Sequence, residues 1–440
     1  MKLFDPVLFR DGRPASGLDL SLAEDPASAI AAHTGHFAVH ERDREGRHLL
    51  ARDLLGVHKL FFAVRGGQVE AANYLVDLLR AGHPLRNVVS VPAGHCVRLH
   101  PGERSYELIR WGEVRFCESA GPHPQATLTR LAATIREALD LRFRLLARRF
   151  AGRPVYVSLS GGLDSTTIAL LAKEHFEGVR AVTFALRHRR ENGPGTDLHF
   201  ARRVAADLGL AHAEVLADPG EVLDLLDDVL VYGQDFRDFN VHCGLVNAAI
   251  GKAIGGWHPE GPRPVVLTGD VMNELLADYA PVQFKGREYF GLPELDPGLT
   301  RRFLVGGLDS GDREVGIFAR FGVETAQPFA LCAHEYAALP SDLACGPGAK
   351  SRLSRLVMGD RIPEYVLLRS KVRAQVAVEG EPGGTLALLV DRGIGQDRLL
   401  ERFARLLGID RRAAGTMTRA GYYRFSTKFP ETSRARRSGS

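Results

Sequence analysis

Eight consecutive residues, Ser158-Leu159-Ser160-Gly161-Gly162-Leu163-Asp164-Ser165, hold two adjacent glycines, three serines and one carboxylate. Glycines let the main chain turn sharply and let a ligand approach it closely. A helix that begins directly after them leaves its first N–H groups unpaired, with the positive end of its dipole at the same place, which is an anion site suited to phosphate or pyrophosphate. Asp164 at the mouth adds an oxygen ligand for Mg²⁺ against those phosphates. The stretch is no Walker A loop, because it has neither the Gly-Lys-Ser/Thr ending nor any lysine.

The flanking elements must hold this loop still. Pro154 to Leu159 reads as a short apolar strand, and Thr166 to Phe176 as a helix with Ile168, Leu171, Ala172 and Phe176 at helical spacing. A long helix over Ala126 to about Arg149 leads into the loop strand. Strands are predicted at Val179–Leu186, Ala213–Leu216 and Val265–Leu267, with helices over Asp197–Leu208, stopped by Gly209, and from near Pro219. Strands alternating with helices imply a parallel sheet covered on both faces. Ligands of such sheets sit at the carboxyl ends of the strands, where the glycine loop lies, and the edge at Thr183 and Phe184 is where an adenine is expected.

Ser-Gly-Gly-x-Asp-Ser after a strand resembles the PP-loop of the ATP pyrophosphatase superfamily. That resemblance implies cleavage of ATP between its α and β phosphates, with Ser158 to Ser165 gripping the pyrophosphate and AMP left on the substrate. Further stretches narrow it. Thr268-Gly269-Asp270-Val271-Met272-Asn273-Glu274 is similar to a segment of asparagine synthetases that reads roughly Ser/Thr-Gly-acid-Gly-x-Asp-Glu. Gly269, Asp270 and Glu274 match. Asn273 stands where the family has an aspartate for Mg²⁺, so the metal would lose one charge there. The resemblance puts Asp164, Asn273 and Glu274 at the metal, and makes Asp270 the base or orienting group for an attacking amine. Lys371, just after Pro363 to Ser370, matches a family lysine that reaches the α-phosphate. Ala326 replaces the arginine of an Arg-x-Pro-Phe motif. Asp235, Asp238 and Asn240, in a polar stretch with aromatics, fall where the family's substrate pocket is partly formed, and they read equally well as a capped helix start.

Residues from Met1 to about Phe116 look β-rich, with a hairpin across Gly66-Gly67. Gly35-His36-Phe37-Ala38-Val39, Leu49 to Ala63 and Val91-Pro92-Ala93-Gly94-His95 resemble the N-terminal domain of class II glutamine amidotransferases as found in asparagine synthetases. That family attacks glutamine with a cysteine exposed as the first residue. Here residue 2 is Lys2 and no cysteine precedes Cys96. The expectation is a degenerate, Ntn-type α+β domain without glutaminase over residues 1–118, as in enzymes of the β-lactam synthetase type, with Arg52 and Asp53 structural. An α/β synthetase domain of the adenine nucleotide alpha hydrolase-like type is expected over 125–430, and a basic tail over 431–440.

The rest of the chain sets limits. Its 440 residues are 45% hydrophobic and 25% charged, ordinary for a globular protein of two or three domains. No run is long enough to span a bilayer, and the start does not read as a secretory signal. The five cysteines are far apart, with no CxxC pair, so a zinc ribbon or disulfide scaffold is not expected and a cytoplasmic location is. A net charge of +4 does not demand nucleic acid, although basic residues crowd the C-terminus. The expected partners are therefore a small-molecule or peptide carboxylate and an amine donor, with no membrane, no nucleic acid and a homodimer allowed. Two other classes compete with an amide- or lactam-forming ligase of specialised metabolism. One is a tRNA- or sulfur-modifying PP-loop enzyme, and the other a nucleotide-binding protein without catalysis.

Overall fold

The computed structural model describes residues 3–100, 105–118, 122–187, 195–279, 281–289, 295–307, 311–369, 376, 383–417 and 436–437. Its second half is built on a five-stranded, all-parallel sheet. In chain order the strands are β1 (Val155–Ser158), β2 (Arg180–Leu186), β3 (Ala211–Ala217), β4 (Val265–Leu267) and β5 (Glu324–Ala326), in the spatial order β3-β2-β1-β4-β5. The glycine-loop strand β1 is central, in register with β2 (Tyr156 opposite Arg180) and β4 (Val155 opposite Val265). It is apolar at every inward position because helices cover both faces.

The predicted strands are all present within one to two residues at each end. β5 was not among them, since Glu-Thr-Ala carries no strand signal of its own. Glu324 opens it as a structural residue: its carboxylate takes a 2.8 Å ion pair from Arg153, which tethers the strand to the start of β1. Helix α1 (Gln125–Arg149) buries Leu128, Ile135, Leu139, Phe143 and Leu146 against the sheet layer. Helix α2 (Leu163–His175) starts earlier than its apolar spacing indicates, so Asp164 and Ser165 lie in its first turn. Helix α3 (Asp197–Asp207) is capped by Thr196, whose hydroxyl accepts from the His199 amide at 3.2 Å.

The described residues between Leu3 and Glu118 fold into antiparallel layers. The hairpin across Gly66-Gly67 pairs Phe61–Arg65 with Gln68–Ala72, and Ala38–Arg42, His48–Arg52, His95–Leu99 and Tyr106–Arg110 form a second sheet. Arg436–Arg437 lie parallel along the edge of that sheet. Arg52 and Asp53 are structural here. The guanidinium donates to the carbonyls of His58 (2.8 Å) and Val91 (3.1 Å), and the carboxylate accepts from the amides of Phe37, Val57 and His58. Burial pushes the Asp53 carboxyl up to about 6. Among the described residues no helix is long and apolar enough to cross a membrane.

Candidate active site

The loop after β1 is knit by its own serines. Ser165 Oγ accepts from the Ser160 amide at 3.2 Å and donates to the Gly162 carbonyl at 3.1 Å, while Ser160 Oγ accepts from the Gly162 amide at 3.3 Å. These bonds wrap the bend around the start of α2, whose first turn is open to a cavity of about 360 Å³. Ser158, Ser160, Gly162, Leu163, Asp164 and Ser165 line that cavity. Gly161 takes φ +69°, and a Cβ there would stand 2.6 Å from the Ala201 amide nitrogen of α3. Thr183 does not line the cavity. It is buried, and its hydroxyl donates to the Leu159 carbonyl at 2.6 Å, tying the loop to β2, with Phe184 beside it in the core.

A second loop, Thr268-Gly269-Asp270 after β4, closes on the first because Gly269 has no side chain: a Cβ would stand 3.0 Å from both Asp164 Cβ and the Ser165 amide nitrogen. Val271 then takes φ +76°, a costly conformation for a β-branched residue, and α4 (Met272–Leu276) starts from it. The strained turn aims Asp270 and Asn273 into the same cavity. Glu274, the next residue, is 1% exposed and accepts from the Tyr279 hydroxyl at 2.7 Å, off the cavity wall.

The third contributor is a lysine that sequence reading missed. Gly346-Pro347-Gly348 leads into helix α5 (Ala349–Met358), and Lys350 in its first turn reaches back across the cavity. Its ammonium lies 2.5 Å and 2.7 Å from the two Asp164 oxygens, 2.6 Å from Asn273 Oδ1 and 3.3 Å from Asp278. Burial works against the charge, but the two carboxylates outweigh it and hold the amine above the ordinary lysine value. A second glycine-rich turn entering an amphipathic helix was the available signal. Lys371 lies outside the described residues. Two positions before it, Arg369 donates to the Ser160 carbonyl at 3.0 Å and to Asp197 at 2.5 Å, its guanidinium carbon 4.1 Å above the Phe200 ring, so Arg369 itself lies against the loop.

The oxygens around Lys350 also fit a hard divalent cation. Asp164, Asn273 and Asp278 already surround one positive charge with two carboxylates and one amide oxygen, the donor types Mg²⁺ takes. Glu274, expected in that set, sits behind it.

The far wall comes from helices α6 (Asp238–Trp257) and α7 (Gly311–Arg320). Cys243, Val246 and Asn247 present one face of α6, and Arg313 and Glu314 the start of α7. Asp235, Asp238 and Asn240 are not part of the lining. Asp235 is bound by Arg237 at 2.8–2.9 Å and by the Asn240 amide at 2.6 Å, and Asp238 Oδ1 accepts from the Phe239 amide at 2.8 Å. They lie one turn behind the wall rather than on it. Glu314 is 3% exposed and Arg313 donates to it at 3.0 Å, while Asp270 lines the same cavity. Burial first, then the neighbouring Asp270, raise the Glu314 carboxyl well above the usual range. A raised carboxyl favours folding most below its ordinary titration range and loses that advantage as pH rises through its folded value. Glu314→Gln, which mimics the protonated acid, is therefore expected to gain thermal stability relative to the parent between about pH 5 and pH 9, measured as the difference in melting temperature. A constant difference across that range would show that Glu314 ionises normally.

Residues 135–311 match the family model described as asparagine synthase. The asparagine synthetase [glutamine-hydrolyzing] of Gallus gallus is 28% identical over 251 residues, covering 52% of this chain and 43% of its own. Asparagine synthetase B [glutamine-hydrolyzing] of Escherichia coli K12 is 25% identical over 357 residues, covering 76% of this chain and 59% of its own. The chain thus spans about half the length of the curated relatives it matches. A solved glutamine-dependent NAD⁺ synthetase from Acinetobacter baumannii aligns with 76% of this chain and 50% of that one at 16% identity and a TM-score of 0.29, too slight a likeness to carry an argument.

Proposed function

We propose, starting from the match of residues 135–311 to the asparagine synthase family model, that the chain is an ATP-dependent, AMP-forming ligase that joins a substrate carboxylate to an amine, as an amide or a lactam, without using glutamine. One observation carries this reading: a single cavity holds the glycine bend and Lys350 on one side and the Asp270–Glu314 acid pair on the other.

In the first step a carboxylate oxygen attacks the α-phosphorus of ATP, the bond to the bridging oxygen breaks, and pyrophosphate leaves with that electron pair. The amides in the first turn of α2 bind the departing phosphates. The Lys350 ammonium, held at the loop rim, offsets charge growing on the phosphates. Asp164, Asn273 and Asp278 would hold Mg²⁺ once the ammonium turns from them to the phosphates, and the ion would add further neutralisation of phosphate charge. In the second step an amine attacks the acyl carbon, AMP leaves, and the amine's proton passes to Asp270, oriented by Glu314. The N-terminal layers lack a cysteine before Cys96, which favours ammonia or a substrate amine as donor. They are read as a degenerate amidotransferase-like domain, and the setting as natural-product biosynthesis.

ATP–pyrophosphate exchange over a panel of amino acids and peptides, followed by product analysis with added amines, tests the reading. Asp270→Asn is expected to keep exchange within about threefold while amide formation falls about 10²-fold or more, the usual size of a lost general base. Equal loss of both would remove Asp270 from the amine step. Cys243 on the cavity wall is the observation that favours sulfur transfer instead, and a tRNA transcript in the same panel would expose it. The absence of exchange with every carboxylate, alongside tight ATP binding, would favour a nucleotide-binding protein, for which Asn273 is the motive.

A further inference from the structure

Glu314 on the amine side is joined to the N-terminal layers by buried polar contacts that run through the turn after the helix Leu226–Gly233. Lys59, 5% exposed, donates to the Gly233 carbonyl at 2.9 Å, at the end of the helix Leu226–Gly233. Asn73 donates to the Lys59 carbonyl at 2.6 Å and its own carbonyl accepts from Gln234 at 3.0 Å; Gln234 in turn accepts from the Leu75 amide at 2.7 Å. Gln234 takes φ +58° at the end of that helix, and its side chain bonds to Asn73 and Leu75 of the other layer. Next in sequence comes Asp235, whose carboxyl is pushed up by burial but held below the usual range by Arg237 and, least of all, by Lys59. Asp235 accepts from Asn240, Asn240 accepts from Arg313 at 2.6 Å, and Arg313 donates to Glu314 beside Asp270. A second tie runs in parallel: Tyr74 donates to the Gly316 carbonyl of α7 at 2.7 Å, where a Cβ on Gly316 would stand 2.2 Å from the Tyr232 carbonyl.

Such a chain exceeds what domain docking needs. Apolar contact alone would hold two layers together, whereas each buried polar group here costs stability unless its partner stays in place. All of it ends on the residues that set Glu314. We propose that the N-terminal layers act as a positioning element for the amine side of the site: Lys59 and Tyr74 hold the Gln234–Asn240 turn and helix α7 so that Arg313 presents Glu314 to Asp270. The assignment of that side to the amine rests on the ligase reading, but the coupling itself does not.

The test uses the full chain and the variants Lys59→Met and Tyr74→Phe, with Leu50→Ala, in the N-terminal core away from the chain, as a control for lost stability. Glu314→Gln first assigns the infrared band of the Glu314 carboxyl. Lys59→Met is expected to shift or abolish that band, and both variants to speed amide exchange at Gln234–Asn240 and Arg313–Gly316 about tenfold or more. Calorimetric MgATP affinity should stay within about twofold, because the loop side is untouched. An unmoved band with exchange changes confined to the N-terminal layers would overturn the proposal, as would the same band shift in Leu50→Ala. Should Lys59→Met fail to fold, Tyr74→Phe decides on the same readouts. A parent protein that binds no MgATP would sink the ligase reading while leaving the coupling to be judged on the band and the exchange.

Discussion

Replacing Lys350 with methionine is expected to lower pyrophosphate release by about 10²- to 10³-fold, or ~2.7–4 kcal/mol of lost transition-state stabilisation, the scale seen when one preorganised charge donor is removed. Methionine keeps most of the stem and removes only the ammonium. The position of that ammonium makes the size of the effect plausible in physical terms: it is held 2.5–3.3 Å from Asp164 and Asp278 in a largely enclosed place, so little reorganisation is needed when phosphate arrives. The same substitution leaves two carboxylates facing each other without their cation. Because Asp278 is about a third exposed, water screens that repulsion and the fold should survive. Added Mg²⁺ should then raise the melting temperature of Lys350→Met more than that of the parent, since the vacated oxygens take the ion without competition from the amine. Pyrophosphate release is followed by a coupled phosphate assay and folding by thermal melts with and without Mg²⁺. Retention of more than about a tenth of the parent rate would make Lys350 a structural partner of Asp164 and nothing more.

The parts of this site that were legible in sequence are those whose signal is local. Pro154 to Leu159 is an apolar run, and the glycines follow it at once, so strand, bend and helix could be placed without knowing the fold. The start of α2 was set three residues late because apolar spacing begins at Ile168, whereas the first turn is closed by the Ser165 hydroxyl, which leaves no mark on periodicity. Asp235, Asp238 and Asn240 show the limit of reading polarity. Their density suits a pocket wall, but Asp235 and Asn240 satisfy each other and Arg313, leaving the next turn of the same helix, with Cys243 and Asn247, to face the cavity. Local composition cannot separate a cluster that binds a ligand from one that binds itself. Lys350 and Glu314 were illegible for a simpler reason. Each is one charged residue on a helix, an ordinary solvated group until the sheet brings Asp164 or Asp270 against it.

Gly161→Ala is expected to cost about 2–4 kcal/mol of stability, combining the left-handed strain of a non-glycine residue with overpacking against a neighbour, and to abolish measurable ATP binding. Strain alone would be tolerable, since non-glycine residues hold positive φ at Gln234 and Val271 in this same fold. What the loop cannot absorb is contact. The new methyl would lie 2.5 Å from Phe200 Cβ and 2.6 Å from the Ala201 amide nitrogen, and these belong to the first turn of α3, not to a side chain that can swing away. That turn is anchored by the Thr196 cap and by Arg369, which binds both Asp197 and the Ser160 carbonyl. Relief must therefore come from the loop itself, which would lift from α3 and pull Ser160 off Ser165. The amides that await phosphate would then no longer converge. Gly162→Ala supplies the contrast. Gly162 is the cap of α2 with φ −82°, and the nearest atom to an added Cβ is the Ser160 hydroxyl at 3.3 Å, so its cost should be under about 1.5 kcal/mol, with weakened rather than lost binding. Thermal melts and calorimetric titration with an ATP analogue measure both variants. Equal effects of the two substitutions, or a Gly161→Ala protein that melts and binds like the parent, would mean that the bend does not pack on α3 as described and that the phosphate site lies elsewhere.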